Sequence, residues 1–248
     1  MKKNSQNIKN ILILLFLTST SLWYILLSKS DDLLHIYSLN VGQGDATLIT
    51  KNNFQIIVDT GRQETASQKI RQYMPYGDSN IELMILTHLD SDHIGGAEKI
   101  IEYNKVDEIW MLNWQKDTET VKNLKNKVEE KKILTKFVRA GEEKNIKTDQ
   151  GEIKIYIVSP TDLSLDSEGN NSSIVSRLSL GEIDILLTGD LEIEGEKVLI
   201  NREQNLQSEI LKVGHHGSKS STSQEFVDKV KPEVSLISVG KNSYGHPN

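Results

Sequence analysis

The sequence predicts a mixed α/β fold, two β-sheets packed face to face with helices outside, preceded by one membrane-crossing helix. Three observations carry this. Both halves of the 248-residue chain are rich in short apolar runs of strand length. Segments of helical character are interspersed among those runs, and one long apolar stretch stands apart at the N-terminus. Two strand-rich halves with helices between strands suggest an αββα four-layer sandwich, although periodicity alone leaves other α/β layouts open. Hydrophobic content of 37% is enough to bury the core of one large domain, placed at residues 33–248.

The first element is the apolar stretch Ile11–Leu27, preceded by Lys2, Lys3 and Lys9 and broken only by Thr18-Ser19-Thr20-Ser21. At about 1.5 Å per helical residue it falls slightly short of a ~30 Å hydrocarbon core. Trp23 and Tyr24 can anchor one interface, and the lysines belong on the cytoplasmic side. Residues 1–10 are therefore expected as a cytoplasmic basic N-terminus and 11–28 as a signal-anchor in the cytoplasmic membrane. Everything after Ser28 is then extracytoplasmic. Cleavage as a signal peptide, giving a secreted domain, is the competing expectation; no clean small-x-small site follows Leu27.

After a polar linker at Lys29 to Asp32, strands are expected at Leu34–Leu39, Ala46–Thr50 and Gln55–Asp59, with a tight turn at Asn52-Asn53. A helix over Glu64 to Tyr73 stops before Pro75. Leu83–Thr87 reads as a buried strand, followed by a loop and a helix from Ile94 to Tyr103. A strand at Glu108–Leu112 and a polar helix at Thr118–Lys132 follow. The second half repeats the style, with strands at Ile153–Ser159, Ser173–Leu180, Ile183–Thr188, Ile210–Val213 and Val234–Ser238. Its helices fall at Gly195–Asn201 and Gln224–Val230.

Composition narrows the chemistry. The chain has no cysteine, which excludes a disulfide framework, a zinc ribbon and a thiol nucleophile. A net charge of -6 argues against a wholly basic nucleic-acid coat. Between Lys116 and Lys147 ten Lys/Arg face six Asp/Glu, an excess of four that reads as a solvated helix face or a track for phosphates.

Five of the six histidines, His88, His93, His215, His216 and His246, lie in glycine- or aspartate-rich loops after apolar strands, while His35 sits inside a strand. That concentration points to a metal site. The strongest segment is Thr87-His88-Leu89-Asp90-Ser91-Asp92-His93-Ile94-Gly95-Gly96, with four ligand-type side chains in six residues at a strand end. Such a loop can turn them onto ions about 3.5–4 Å apart. Asp92 and His93, being adjacent, converge only in a loop or at a helix start. Leu186-Leu187-Thr188-Gly189-Asp190 supplies a carboxylate able to bridge two ions; alone, that Asp reads equally as a helix cap. Lys212-Val213-Gly214-His215-His216-Gly217-Ser218 again places histidines just past an apolar strand. Asp59, ending an early strand, can orient a ligand from behind.

The string Thr-His-x-Asp-x-Asp-His-x-Gly-Gly resembles the second motif of the metallo-β-lactamase superfamily. Asp90, where lactamases carry His, is similar to the variant in the ComEC family of DNA-uptake channel proteins. The segments Leu39–Asp45, Asp59, Asn170–Arg177, Leu187–Asp190, His215–Ser218 and Asn242–Pro247 agree, so the resemblance runs from Leu34 to the end of the sequence. Asn170-Asn171-Ser172-Ser173 stands where other branches carry a third histidine motif. ComEC-type channels have a multi-helix membrane domain, whereas one span is predicted here, so a separate channel subunit is the expected partner. Such domains also continue into a last helix beyond the point where this sequence stops.

The resemblance implies two divalent ions, Zn²⁺ or Mn²⁺. His88 and Asp90 would serve the first, Asp190 would bridge, and Asp92, His93 and His215 would serve the second, with His216 as the other candidate of the pair. Asp92, His216 and His246 are the expected catalytic residues, and Asp59, Asn170, Ser173, Ser218 and Lys219 support ligands or substrate. The implied activity is hydrolysis by metal-activated water, as a phosphodiesterase or nuclease on extracellular DNA. Two alternatives stand beside it. One is hydrolysis of a small extracellular ester such as a choline-phosphate, lactone or β-lactam; the other is an accessory module of a DNA-uptake system.

Overall fold

A computed structural model of the chain describes residues 2–28, 33–114, 116–148, 151–161, 169–202 and 205–248. The first half contains α1 (Lys2–Ser28), β1 (Leu34–Ser38), β2 (Thr47–Lys51), β3 (Phe54–Val58), α2 (Thr65–Ile70), β4 (Asn80–Ile81) and β5 (Leu83–Ile85). It continues with α3 (Ser91–Ile94), α4 (Ala97–Tyr103), β6 (Lys105–Val106), β7 (Glu108–Met111), α5 (Glu119–Lys131) and β8 (Leu134–Phe137). The second half holds β9 (Glu143–Thr148), β10 (Gly151–Ser159), β11 (Val175–Leu180), β12 (Ile183–Leu187), α6 (Ile193–Asn201), β13 (Ile210–Lys212), α7 (Gln224–Val230) and β14 (Val234–Leu236).

Two six-stranded sheets form, in the orders β1-β2-β3-β5-β7-β8 and β14-β13-β12-β11-β10-β9, with β4 and β6 as a small separate pair. Side-chain alternation builds the layers. Ile56 and Val58 of β3 point into a core shared with Ile153, Ile155, Leu178 and Leu187 of the second sheet. Ile57, between them, points the other way, into a core with Ala66, Ile100 and Leu124 of α2, α4 and α5. Leu186 and Leu211 pack against Leu199 and Phe226 of α6 and α7. Helices back both sheets, and β5 and Ile109–Met111 of β7 in the first read as unbroken apolar runs, whereas β10 and β11 of the second are interrupted by Lys154, Arg177 and Ser179. The result is the predicted αββα sandwich.

Local signals set the helix ends. Thr118 Oγ1 accepts from Val121 N–H at 3.3 Å at the start of α5, and Lys132 ends it in the left-handed region at φ 53. Ser223 and Lys231 play the same parts for α7.

The structure departs from expectation at several places. The helix expected from Ile94 to Tyr103 is two pieces, α3 and α4, separated by Gly95-Gly96. Strands β8 and β9 were not expected. They are sheet-edge strands, β8 exposing Leu134 and Phe137 and β9 exposing Glu143, Asn145 and Lys147, so neither forms the buried apolar run that marks a central strand. Helix α1 is longer than the expected 11–28. Its apolar window Ser5–Ile25 is 21 residues, roughly 31 Å at ~1.5 Å per residue, long and apolar enough to cross a membrane. The linker expected at Lys29 to Asp32 lies outside the described residues.

Candidate metal centre

The site is assembled at one edge of the sandwich. Strands β3 and β5 run parallel in the first sheet, as do β12 and β13 in the second. Their carboxyl ends deliver Asp59, His88, Asp190 and the His215-His216 pair. The one-turn helix α3 adds Asp92 and His93, the helix start that adjacent convergent ligands require. Gly95 and Gly96 allow this turn to lie on the Asp59 loop. A Cβ on Gly96 would stand 2.3 Å from Thr60 O, and one on Gly95 2.0 Å from Arg62 O.

Three imidazoles point their Nε2 atoms to one place because each Nδ1 is engaged behind. Asp59 accepts from Thr87 N–H through Oδ1 (2.8 Å) and from the Thr87 hydroxyl through Oδ2 (2.7 Å). Asp59 Oδ2 also lies 2.8 Å from His93 Nδ1. The Thr87 hydroxyl, having given its proton to Asp59, accepts from His88 Nδ1 at 3.1 Å. His216 Nδ1 donates to Ser238 O at 2.9 Å. With each Nδ1 engaged behind, Nε2 is the nitrogen that all three rings leave for a ligand.

Asp190 sits where those rings meet. Its Oδ2 is 3.2 Å from His93 Nε2, 3.6 Å from His216 Nε2 and 4.0 Å from His88 Nε2. Asp92 Oδ2 is 3.7 Å from His216 Nε2. The Nε2 atoms of His88, His93 and His216 and the Oδ1 of Asp190 are buried without a hydrogen-bond partner. Buried polar atoms are rarely left so. Four converging on one spot, all imidazole nitrogen or carboxylate oxygen, fit a divalent cation. The sets His88–His93–Asp190 and Asp92–His93–His216 each bring three donor atoms within 4.8 Å of one another.

The electrostatics follow from burial and crowding. Burial, reinforced by the charge of His93, pushes His88 down to about 4. Burial works against the charged form of His93 too, but Asp190 and Asp59 overcome it and hold His93 well above its ordinary value. His216 is raised in the same way by Asp92, Asp190 and Asp45 against its burial. Burial would raise Asp190 and Asp92. The surrounding histidines outweigh it, holding Asp190 well below the carboxylate range and Asp92 at about 2. The carboxylates are thus ionised and ready to meet a cation.

The tandem histidines diverge. Both have left-handed backbones, φ 43 at His215 and 54 at His216, a conformation costing about 1–3 kcal/mol per residue and concentrated at functional sites. Their rings stand 61° apart with centroids 6.0 Å apart. His216 enters the cation cluster, whereas His215 turns to Glu192, with Nδ1 3.0 Å from Oε1. It is therefore His216, not His215, that lies beside Asp92 and Asp190, while His215 faces the cleft. Ser220 Oγ donates to the same Glu192 oxygen at 2.7 Å.

Other expected residues are distributed around this core. Asp90 is at the rim, ion-paired with Lys116, its Oδ2 3.8 Å from His88 Nε2. Asn170 lies 3.4 Å from His215 Nδ1, and Ser173 Oγ accepts from Asp190 N–H at 3.2 Å. His246 lines the cleft and its ring is 5.5 Å from that of His215; burial and the charge of His215 lower its pKa. Asn242 Oδ1 accepts from the backbone N–H groups of Tyr244, Gly245 and His246 and so holds that loop. Ser218 hydrogen-bonds to Ser220 away from the cluster, and Lys219 is exposed and outside the cleft lining.

Sequence reasoning gave no site role to Glu192 or Lys212, and named Asp45 and Lys116 only as parts of the segment Leu39–Asp45 and of the basic tract. Lys212 left a signal of its own, a cation inside the apolar run Ile210-Leu211-Lys212-Val213. The cleft over the centre has a volume of about 600 Å³ and is lined by Arg62, Lys116, Asn170, Tyr244 and His246 among others. A second cleft of about 500 Å³ adjoins it, sharing Leu89 and Lys116 and reaching Leu112 and His88.

Residues 39–241 match the family model described as metallo-beta-lactamase superfamily. The chain is 31% identical over 229 residues to ComE operon protein 3 of Bacillus subtilis (strain 168), covering 85% of this chain and 29% of that protein. It is 33% identical over 209 residues to Recombination protein 2 of Haemophilus influenzae, covering 82% of this chain and 24% of the relative. The chain thus spans under a third of the length of these curated relatives. Among solved structures, the CmlA beta-hydroxylase E377D mutant superposes with a TM-score of 0.54 at 12% identity, over 87% of this chain and 48% of that one, a likeness of fold alone. The family match and the cation-ready cluster together support a metal-dependent hydrolase. Every strand given above except β1, and the centre between the sheets, falls within the matched region, and this chain belongs to the metallo-β-lactamase superfamily as a ComEC-like domain.

Proposed function

We propose that the chain is a membrane-anchored, metal-dependent phosphodiesterase acting on DNA outside the cytoplasm. The observation that carries this reading is the polar cleft above the centre, where Arg62 and the Asp90-paired Lys116 flank the carboxylates Asp92 and Asp190 and the exposed Tyr244 ring stands at the rim. Fixed cations suit a phosphate backbone, and an exposed aromatic ring suits an unstacked base. The names of the relatives, a ComE operon protein and a recombination protein, lend support.

In this reading two ions, Zn²⁺ or Mn²⁺, are held by His88, His93, His216, Asp92 and Asp190, with Asp90 completing the first site from the rim. Such ions supply Lewis acidity toward a phosphoryl oxygen and activate water. The protein groups do the positioning. Asp59 and Thr87 orient His93 and His88; Arg62 and Lys116 hold the flanking phosphates. His215, steadied by Glu192, and His246 face the leaving group. Helix α1 anchors the domain on the outer membrane face, beside a separate channel subunit.

A small ester is the second reading, favoured by the adjoining cleft with Leu89 and Leu112 on its wall. Metal content of the detergent-purified chain, then cleavage of single- and double-stranded DNA with Mn²⁺ or Zn²⁺, separates the two. Two ions and DNA cleavage lost in Asp92→Ala/His93→Ala are expected. Two ions without DNA cleavage would move the assignment to the ester, and no retained ion would leave an accessory binding module.

A further inference from the structure

Lys212 is an anomaly in its strand. It lies in β13 between the buried Leu211 and Val213 and is itself 3% exposed. A buried ammonium is strongly unfavourable unless paired. Its partner is Asp45, equally buried, at 2.6 Å from Nζ, and Nζ also donates to Val213 O at 2.8 Å.

The two residues belong to opposite halves of the centre. Asp45 follows β1, and its N–H donates to Asp92 O at 3.1 Å while its C=O accepts from Gly61 N–H at 2.7 Å. Gly44 brings this loop so close that a Cβ there would stand 2.4 Å from Asp92 O. Asp45 is therefore fastened to the turn that carries Asp92 and His93. Lys212 lies four residues before His216 in the second sheet. Across the seam Asp92 Oδ2 faces His216 Nε2 at 3.7 Å, and Asp45 Oδ1 lies 3.9 Å from His216 Nδ1.

We propose that Asp45 and Lys212 form a positioning tie that holds the two half-sites in register and sets the Asp92-to-His216 spacing. The inference rests on the reading that Asp92, His93 and His216 hold an ion. Apolar side chains of similar volume would fill the seam equally well, but they slide, whereas a buried charged pair has one favourable geometry. The pair also engages Oδ2 of Asp45, a carboxylate that stands within ligand reach of Asp190 and His216.

Lys212→Met alone is a poor test, because it frees the Asp45 carboxylate to bind an ion itself. The informative variants are the neutral pairs Asp45→Asn/Lys212→Met and Asp45→Asn/Lys212→Gln, made in the full chain. Two quantities are read: the thermal midpoint in EDTA, and Co²⁺ affinity with its visible absorption spectrum. A folded neutral pair is expected to melt within a few degrees of the wild type, yet to bind Co²⁺ at least ~10-fold more weakly with an altered spectrum, in line with losses of supporting groups behind ligands. Wild-type affinity and spectrum in a folded neutral pair would reduce the tie to a structural contact and overturn the proposal. Should neither pair fold, Asp45→Glu keeps both charges and moves the carboxylate by one methylene; the same loss is expected, and unchanged binding overturns the proposal. Wild-type protein that takes up no Co²⁺ would sink the ion-binding reading itself, and the tie's role with it.

Discussion

Asp59 Oδ2 stands 2.8 Å from His93 Nδ1, both side chains shut away from solvent. The aspartate ends a strand of the first sheet and the histidine sits in the turn after its neighbouring strand. Asp59 itself is left-handed, φ 58, and holds Thr87 with its remaining capacity. One carboxylate thus orients two histidines of the cluster, His93 directly and His88 through the Thr87 hydroxyl.

Asp59→Asn keeps the shape but removes the charge behind both rings. Ion affinity is expected to fall about 10–100-fold, measured by chelator competition. Asp59→Ala also leaves buried Thr87 N–H unpaired, so urea unfolding should show a further loss of about 1–3 kcal/mol. Unchanged affinity in both would sink the orienting role.

The divergence of the tandem histidines makes a pair of opposite expectations. His216→Ala should lose bound metal. His215→Ala should keep its metal content while turnover drops about 10²–10⁴-fold, the range for a removed proton donor or acceptor. Metal analysis beside rate measurement checks both, and metal loss in His215→Ala would reverse the assignment.

Lys116 lines both clefts and reaches Asp90. For a DNA substrate, Lys116→Ala should weaken binding about equally across sequences and reduce the slope of log affinity against log salt by about 1. An unaltered slope would remove Lys116 from the phosphate track.

Two glycines separate crowding from backbone strain. Gly96→Ala drives a methyl toward Thr60 O and Gln63 O, 2.3 and 2.7 Å from the Cβ position; several kcal/mol of destabilisation, or failure to fold, is expected. Gly181→Ala meets nothing within 4 Å and carries only its left-handed φ of 61, so its cost should be about 1–2 kcal/mol. Denaturant midpoints that do not separate the two would contradict the packing of α3 on the Asp59 loop.

The sequence by itself determined the sandwich, the apolar N-terminal helix and the loops that carry the histidines. Strands buried on two faces, such as β5, read as apolar runs, and the histidine-bearing loops break those runs with Gly, Asp and His, so both signals are local. Edge strands β8 and β9 escaped because each leaves residues in solvent, so neither forms the buried apolar run that marks a central strand. Only the tertiary structure decided which tandem histidine enters the cluster, because that depends on two left-handed backbone angles and on Ser238 and Glu192 waiting on opposite sides. The same holds for Asp45 and Lys212, far apart in sequence and ordinary in composition. Their meaning as a pair comes from burial at the seam between the sheets, where a charge must find its partner across the fold.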